Sequence, residues 1–166
     1  MTGGTFELPS AAAAKLAIWR AARERIVFTN GVYDLLHRGH VEYLEEARAL
    51  GDRLVVGVNS DASVHRLKGP TRPILPQGDR AGLLGALACV DLVVIFDDDT
   101  PLRLVEAVRP DVLVKGADWA AEAIVGADFV LARGGRVERI PLREGLSTSV
   151  IVKRIREGRS ALDPWT

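Results

Sequence analysis

The stretch Ile26-Val27-Phe28-Thr29-Asn30-Gly31-Val32-Tyr33-Asp34-Leu35-Leu36-His37-Arg38-Gly39-His40 begins as an apolar, β-branched run, turns at Gly31 and enters a helical pattern near Gly39. Ile26-Val27-Phe28 reads as a strand on the strength of that composition. Val41 to Leu50 reads as a helix that Gly51 would terminate, and Leu54-Val55-Val56-Gly57-Val58 as a second strand. Strand, helix and strand over this length form one βαβ unit, whose crossover is right-handed.

The alternation continues downstream. Asp61 is placed to cap a short helix, and Asp79 to Val90 reads as a longer one. Leu92 to Phe96 reads as a strand, and Pro101 to Val108 as a helix with proline in its first turn. Strands follow at Asp111 to Val114, Asp128 to Leu131 and Val137 to Pro141, then a last helix from Thr148 to Glu157. Upstream, Ser10 predicts the N-cap of an Ala-rich helix running to about Glu24, with Leu16, Ile18 and Trp19 available for docking. Strands that are apolar throughout imply a sheet covered on both faces, hence an α/β, doubly wound parallel domain. The expected layout is a flexible tail over 1–9, a helix over 10–24, one domain over 25–157 and a tail over 158–166. In such sheets ligands bind beyond the carboxyl ends of the strands, where the strand order reverses. The loop from Lys68 to Gln77, carrying Pro70, Pro73, Pro76 and Arg72, is the expected mobile or functional segment.

Composition narrows the classes. The chain has 166 residues, 48% hydrophobic, with 22 Lys plus Arg against 22 Asp plus Glu, and so no net charge. A broadly basic nucleic-acid surface is therefore not expected, although a local cationic pocket for one phosphorylated ligand is compatible with the balance. The single cysteine, Cys89, lies in an apolar stretch and excludes a disulfide framework or a Cys-based zinc site. No signal-peptide pattern opens the chain, and the most apolar stretch, Ala81 to Phe96, is broken by Asp91. No membrane association is expected, and a cytoplasmic location is the default.

His37 and His40 flank the start of the helix that follows the first strand, with Gly39 between them. A helix N-terminus offers unpaired N–H groups and the positive end of a dipole. Imidazole N–H groups beside it add directed donors, and Gly39 would let a phosphate approach the backbone. This builds a triphosphate site without a Walker sequence or a three-glycine dinucleotide fingerprint, neither of which occurs here. A metal pair is the competing reading of His-x-x-His, but with three histidines in the chain and no cysteine or zincin-spaced Glu nearby, the ligand set is short. Solvated helix-cap histidines are the bland alternative. Elsewhere, Asp97-Asp98-Asp99 reads as an acidic helix start, His65 as a surface residue, and Trp19 and Trp119 as packing aromatics.

Gly31-Val32-Tyr33-Asp34 followed by His37-Arg38-Gly39-His40 resembles the signature of the cytidylyltransferase-like nucleotidyltransferases. Gly145-Leu146-Ser147-Thr148-Ser149-Val150-Ile151 is similar to their C-terminal signature. Val58-Asn59-Ser60-Asp61-Ala62-Ser63, Arg66-Leu67-Lys68-Gly69, Arg72-Pro73 and Leu113-Val114-Lys115-Gly116-Ala117-Asp118 resemble the branch that adenylylates D-glycero-β-D-manno-heptose 1-phosphate. The similarity runs from about Arg25 to Arg156. It departs at Tyr33, where the family usually has Phe, and at Ser149, where Thr is common.

The resemblance implies a Rossmann-like single domain that transfers AMP from ATP to the sugar phosphate and releases pyrophosphate, with Mg²⁺ accompanying the nucleotide. It implies catalytic roles for His37, His40 and Lys68, and nucleotide contacts from Thr29, Asn30, Gly31, Gly39, Lys115, Ser147, Thr148 and Ser149. Substrate contacts would come from Asp34, Asn59, Asp61, Arg72 and Asp118, with no protein-held metal. Asp34 has a second reading as a turn cap. A phosphate monoester is already a nucleophile, so catalysis would rest on aligning two anions and stabilising the charge that moves to the leaving group. Three other readings stay open at this point: a CTP-dependent enzyme acting on glycerol 3-phosphate or a similar phosphate or phosphonate, a non-catalytic nucleotide-binding module, and an oxidoreductase. The N-terminal helix is a candidate dimer element.

Overall fold

The computed structural model describes residues 6–120, 123–143 and 145–160. The helices are α1 (Ser10–Ala21), α2 (Arg38–Arg48), α3 (Asp61–Lys68), α4 (Gln77–Gly85), α5 (Leu102–Val108), α6 (Ala127–Ala132) and α7 (Thr148–Arg156). The strands are β1 (Ile26–Gly31), β2 (Arg53–Asn59), β3 (Leu92–Phe96), β4 (Val112–Gly116) and β5 (Arg136–Ile140). They form one sheet in the order β3-β2-β1-β4-β5, and every pairing is parallel. The chain thus winds outward from β1 to β3, then returns to lay β4 against the other side of β1.

Period-two alternation along β1 sends Ile26 and Phe28 to one face and Val27 to the other. On the first face, Leu16 and Trp19 of α1, Leu104, Val105 and Val108 of α5, and Val130 of α6 complete a core. On the second, Leu44 and Ala47 of α2 and Leu84 of α4 pack over Val56, Val58 and Val114. Both faces are covered, which is why the strands read as continuous apolar runs.

Several sequence expectations change. Residues 128–131 belong to helix α6, not to a strand. Parallel β4 and β5 need a crossover between them, and this short segment supplies its helix. The helix expected to start at Asp79 begins at Gln77 and stops at Gly85. Ser10 is the first helical residue of α1, and Pro9 holds the cap position without a side-chain hydrogen bond. Ser60, not Asp61, caps α3, its hydroxyl accepting from Ser63 N–H. Gly51 follows the end of α2 for lack of space, since a Cβ there would lie 2.6 Å from Val27 Cγ2 and 2.8 Å from the Arg25 carbonyl.

The expected tails lie largely outside the described residues, although Phe6 and Leu8 pack against the α1 side of the core. The apolar stripe Ala12, Leu16 and Trp19 of α1 is buried in its own chain, leaving Ile18 exposed. Among the described residues no helix is long and apolar enough to cross a membrane.

Candidate active site

β1 and β4 are neighbours in the sheet but distant in the chain, so the strand order reverses between them. A crevice opens beyond their carboxyl ends, the place where doubly wound sheets bind ligands. It is a cleft of about 630 Å³, lined by the β1–α2 turn, the ends of β2 and β4, the α3–α4 connection, and the start of α7.

Two helix N-termini face it. At α2 the cap residue His37 is extended and makes no side-chain capping bond; the His40 N–H donates to the His37 carbonyl at 2.9 Å, and the amides of Arg38 and Gly39 are left as the opening donors. His37 and His40 stack on one wall, ring centroids 3.8 Å apart and 20° from parallel, and Tyr33 meets His40 edge-on at 5.2 Å. Gly39 permits this arrangement, because an added Cβ would come within 3.2 Å of the His37 ring. The Nδ1 atoms of both histidines are buried without a hydrogen-bond partner. Such a group costs about 1–3 kcal/mol, and two side by side on a cleft wall point to a polar ligand as their partner.

Burial, with His37 beside it and the Leu35 carbonyl opposing, pushes His40 down to about 4. Burial lowers His37 as well. Both rings are therefore neutral near pH 7 in the free protein, and an arriving polyanion would raise their proton affinity.

At α7, Ser147 spends its hydroxyl on the helix, accepting from Val150 N–H at 3.2 Å. Thr148 and Ser149 follow in the first turn, and all three line the cleft. Lys115, at the end of β4, donates to Asn30 Oδ1 at 2.6 Å. Its ammonium sits 5.6 Å over the Trp119 ring, and burial, opposed by Asp118, brings it down to about 8. Lys68, the last residue of α3, is exposed and has no partner among the described residues.

The structure thus brings His37, His40, Lys68, Asn30, Gly31, Gly39, Lys115, Ser147, Thr148, Ser149, Asp34, Asn59, Arg72 and Asp118 to one cleft. It does not bring Thr29 or Asp61 to its wall. Thr29 is fully buried and bonds Tyr43 through its hydroxyl, 2.8 Å away, while Asp61 pairs with Arg80 at 2.8 Å. Asp34 reaches the cleft already engaged. Its carboxylate pairs with Arg72 and accepts from the N–H groups of Ile74, at 2.7 Å, and Leu75, at 3.0 Å. The loop expected to be mobile is therefore stapled down in this structure, and the Arg72 guanidinium is turned toward Asp34.

Sequence reasoning missed three residues. Trp119, read as packing, is half exposed and forms part of the cleft wall. Arg143 stands at the rim, paired with Glu42 at 2.8 Å. Arg80, fully buried behind the cleft, donates to the carbonyls of Val32, Asn59 and Leu75 at 2.6, 2.8 and 3.0 Å.

A doubly wound sheet whose switch-point cleft presents stacked imidazoles, two helix N-termini and lysines suits a phosphorylated ligand. The chain belongs to the cytidylyltransferase-like family, whose model matches residues 28–154. It is 58% identical over 141 residues to the bifunctional protein HldE of Magnetococcus marinus, covering 85% of this chain and 29% of that protein. The bifunctional protein HldE of Azorhizobium caulinodans is 54% identical over 145 residues, 87% of this chain and 30% of the relative. The chain therefore spans less than a third of these relatives' length. A solved lipopolysaccharide core biosynthesis protein from Thermoplasma volcanium superposes with a TM-score of 0.60 at 32% identity, covering 72% of this chain and 97% of that one.

Proposed function

We propose that the chain transfers AMP from ATP to D-glycero-β-D-manno-heptose 1-phosphate, giving ADP-heptose and pyrophosphate, in the cytoplasm where ATP is made. The observation that carries this reading is the convergence of the His37–His40 stack, the α2 and α7 N-termini and Lys115 on one cleft at the switch point. The heptose assignment rests on the high identity to HldE proteins across the same segment.

In this reaction a phosphate oxygen of the sugar attacks the α-phosphorus in line. A new P–O bond forms as the bond to the bridging oxygen of pyrophosphate breaks, and that oxygen takes the electron pair. No proton need be removed from the nucleophile. The protein's work is to hold two mutually repelling anions in line and to stabilise the charge that builds on the α- and β-phosphate oxygens. The ring N–H groups of His37 and His40 and the opening amides of α2 are directed donors for those oxygens. The Lys115 ammonium, fixed by Asn30, supplies a positioned cation, and Lys68 one that can move. Thr148 and Ser149 offer hydroxyls and amides at the start of α7.

Mg²⁺ would neutralise part of the triphosphate charge when bound. The ion would take its ligands mainly from phosphate and water.

The test is pyrophosphate release with Mg²⁺ across an NTP panel. Release from ATP should depend strongly on heptose 1-phosphate. Equal or faster release from CTP with glycerol 3-phosphate would overturn the heptose assignment and leave the transferase class standing.

A further inference from the structure

At the opposite end of the sheet, beneath the amino ends of β1 and β4, lies a second concavity of about 550 Å³. Arg20, Arg23, Arg25 and Arg136 line it, and nothing in AMP transfer uses them. Arg20 donates to the Val108 carbonyl. Arg136 divides itself between Glu138, at 3.2 Å, and the Leu50 carbonyl, at 3.3 Å. Among the described residues the guanidiniums of Arg23 and Arg25 have no partner.

The acids of the same wall are committed elsewhere. Glu24 holds Arg53 through both oxygens, at 2.7 and 2.8 Å. Asp52 accepts from Arg25 N–H at 2.7 Å, and Asp111 from Ile26 N–H at 2.8 Å. Burial, then the neighbouring Arg109 and Arg133, lower the proton affinity of Arg20, with Asp111 opposing them. The wall continues into Gly134-Gly135. A Cβ on Gly135 would lie 2.7 Å from both the Asp111 carbonyl and Val130 Cγ1, so the backbone lies flat and close.

The two guanidiniums of Arg23 and Arg25, without partners among the described residues and beside the bare Gly134-Gly135 backbone, suit phosphate, because the planar fork matches two phosphate oxygens at once. A single concavity in a chain without net charge does not suit a nucleic-acid backbone, which needs an extended cationic track. Six residues of β1 separate this wall from the cleft, about 20 Å at the usual rise per strand residue, so the two places bind separately.

We propose that this basal concavity is a second anion site that takes the polyphosphate group of a small molecule, either free pyrophosphate or the tail of a nucleotide. Its occupancy is independent of the catalytic cleft and depends on Arg23 and Arg25.

Equilibrium dialysis of labelled pyrophosphate tests it on the wild type, on Arg23→Gln/Arg25→Gln and on His37→Ala/His40→Ala. The histidine variant should keep one pyrophosphate site per chain. The arginine variant should lose that site, with binding weakened about tenfold or more for each charge-assisted pair removed. Both arginines are exposed, so the arginine variant should melt and transfer AMP as the wild type does. Competition by ATP in the histidine variant would identify the ligand as a nucleotide tail, and failure of ATP to compete would identify it as free pyrophosphate. Unchanged pyrophosphate stoichiometry and affinity in the arginine variant would overturn the proposal, as would a histidine variant that melts normally and binds none.

Discussion

Replacing Arg80 by Met should both destabilise the protein and loosen its cleft. The methionine stem fills much of the arginine's path but removes every donor. Three carbonyls, that of Asn59 buried and those of Val32 and Leu75 partly so, then lose the partner they meet at 2.6 to 3.0 Å. Each unpaired acceptor costs about 1–3 kcal/mol, and breaking one side of a buried ionic network costs about 3–5 kcal/mol in all. The lower figure counts partial relief by water, and Asp61, half exposed, adds little. At roughly 2–4 °C per kcal/mol for a domain of this size, the melting temperature should fall by about 10 °C.

The functional part follows from where those carbonyls sit. Val32 belongs to the turn after β1, Asn59 ends β2, and Leu75 lies in the loop that Asp34 also staples. Losing Arg80 frees all three cleft segments together, so pyrophosphate release should drop and KM for the nucleotide rise even far below the melting point. Arg80→Lys should recover only part of either loss, since one ammonium cannot span three carbonyls in different directions. Thermal melts and steady-state kinetics on the same preparations decide the matter. An Arg80→Met variant that melts within about 2 °C of wild type and keeps its KM would refute the reasoning.

Other expectations concern the cleft itself. His40→Ala should lower kcat by about 10²–10³ with a smaller change in KM, as loss of a transition-state donor does; near-full kcat in a normally melting variant would remove His40 from catalysis. Because the fold holds His40 near 4, below its ordinary 6.5, the unfolded chain binds more protons between those values. The associated stability is full above about 6.5 and lost as pH falls toward 4, and a His40→Gln variant whose acid melting slope matched wild type would contradict this. Lys115, brought to about 8 by burial, is a cation below that pH and loses charge above it. KM for the nucleotide should therefore rise from pH 8 upward in wild type, and Lys115→Met should flatten that rise; an identical rise in both would assign it elsewhere.

Legibility followed physical range. β1 and β2 were readable because a strand buried on both faces is apolar over most of its length, a purely local signal; β3 kept the same apolar run at the sheet edge, although Ile95 is exposed there. The same signal misled at Phe129-Val130-Leu131, where three apolar residues in a row serve a six-residue helix that buries only Val130 deeply and leaves Leu131 exposed. The His-x-Gly-His segment was legible as a helix start beside the cleft because that signal is local to one turn of chain. That the two rings stack, and so stay neutral, depends on burial beneath other elements. Arg80 was invisible for a related reason: between Asp79 and Ala81 it reads as a surface cation. Its spacing of four from buried Leu84 was the available clue, since both then lie on the inner face of α4. Asp34 could be read as bonding backbone N–H groups, but not that those groups lie forty residues away in the loop at Ile74.

The zero net charge of the chain takes on meaning once its cations are sorted by partner. At the cleft, arginines build the walls: Arg72 is held by Asp34, Arg80 by three carbonyls and Asp61, and Arg143 by Glu42. Just behind it, Arg66 reaches Asp97 and Asp99. Each of these guanidiniums uses its rigid fork where geometry is fixed, and each is matched by an acid. The lysines are left facing the cleft, Lys115 tethered through a neutral amide and Lys68 without a partner among the described residues. An ammonium is a compact charge on a flexible stem, suited to phosphates whose charge shifts from the α-phosphorus to a departing pyrophosphate. At the basal concavity the division is reversed, with Arg23 and Arg25 left without partners among the described residues. That favours holding an anion in one geometry over following it through a reaction. A balanced composition therefore coexists with two cation-bearing concavities because most of the acids beside them are spent on architecture, and the two differ in which cation is left over.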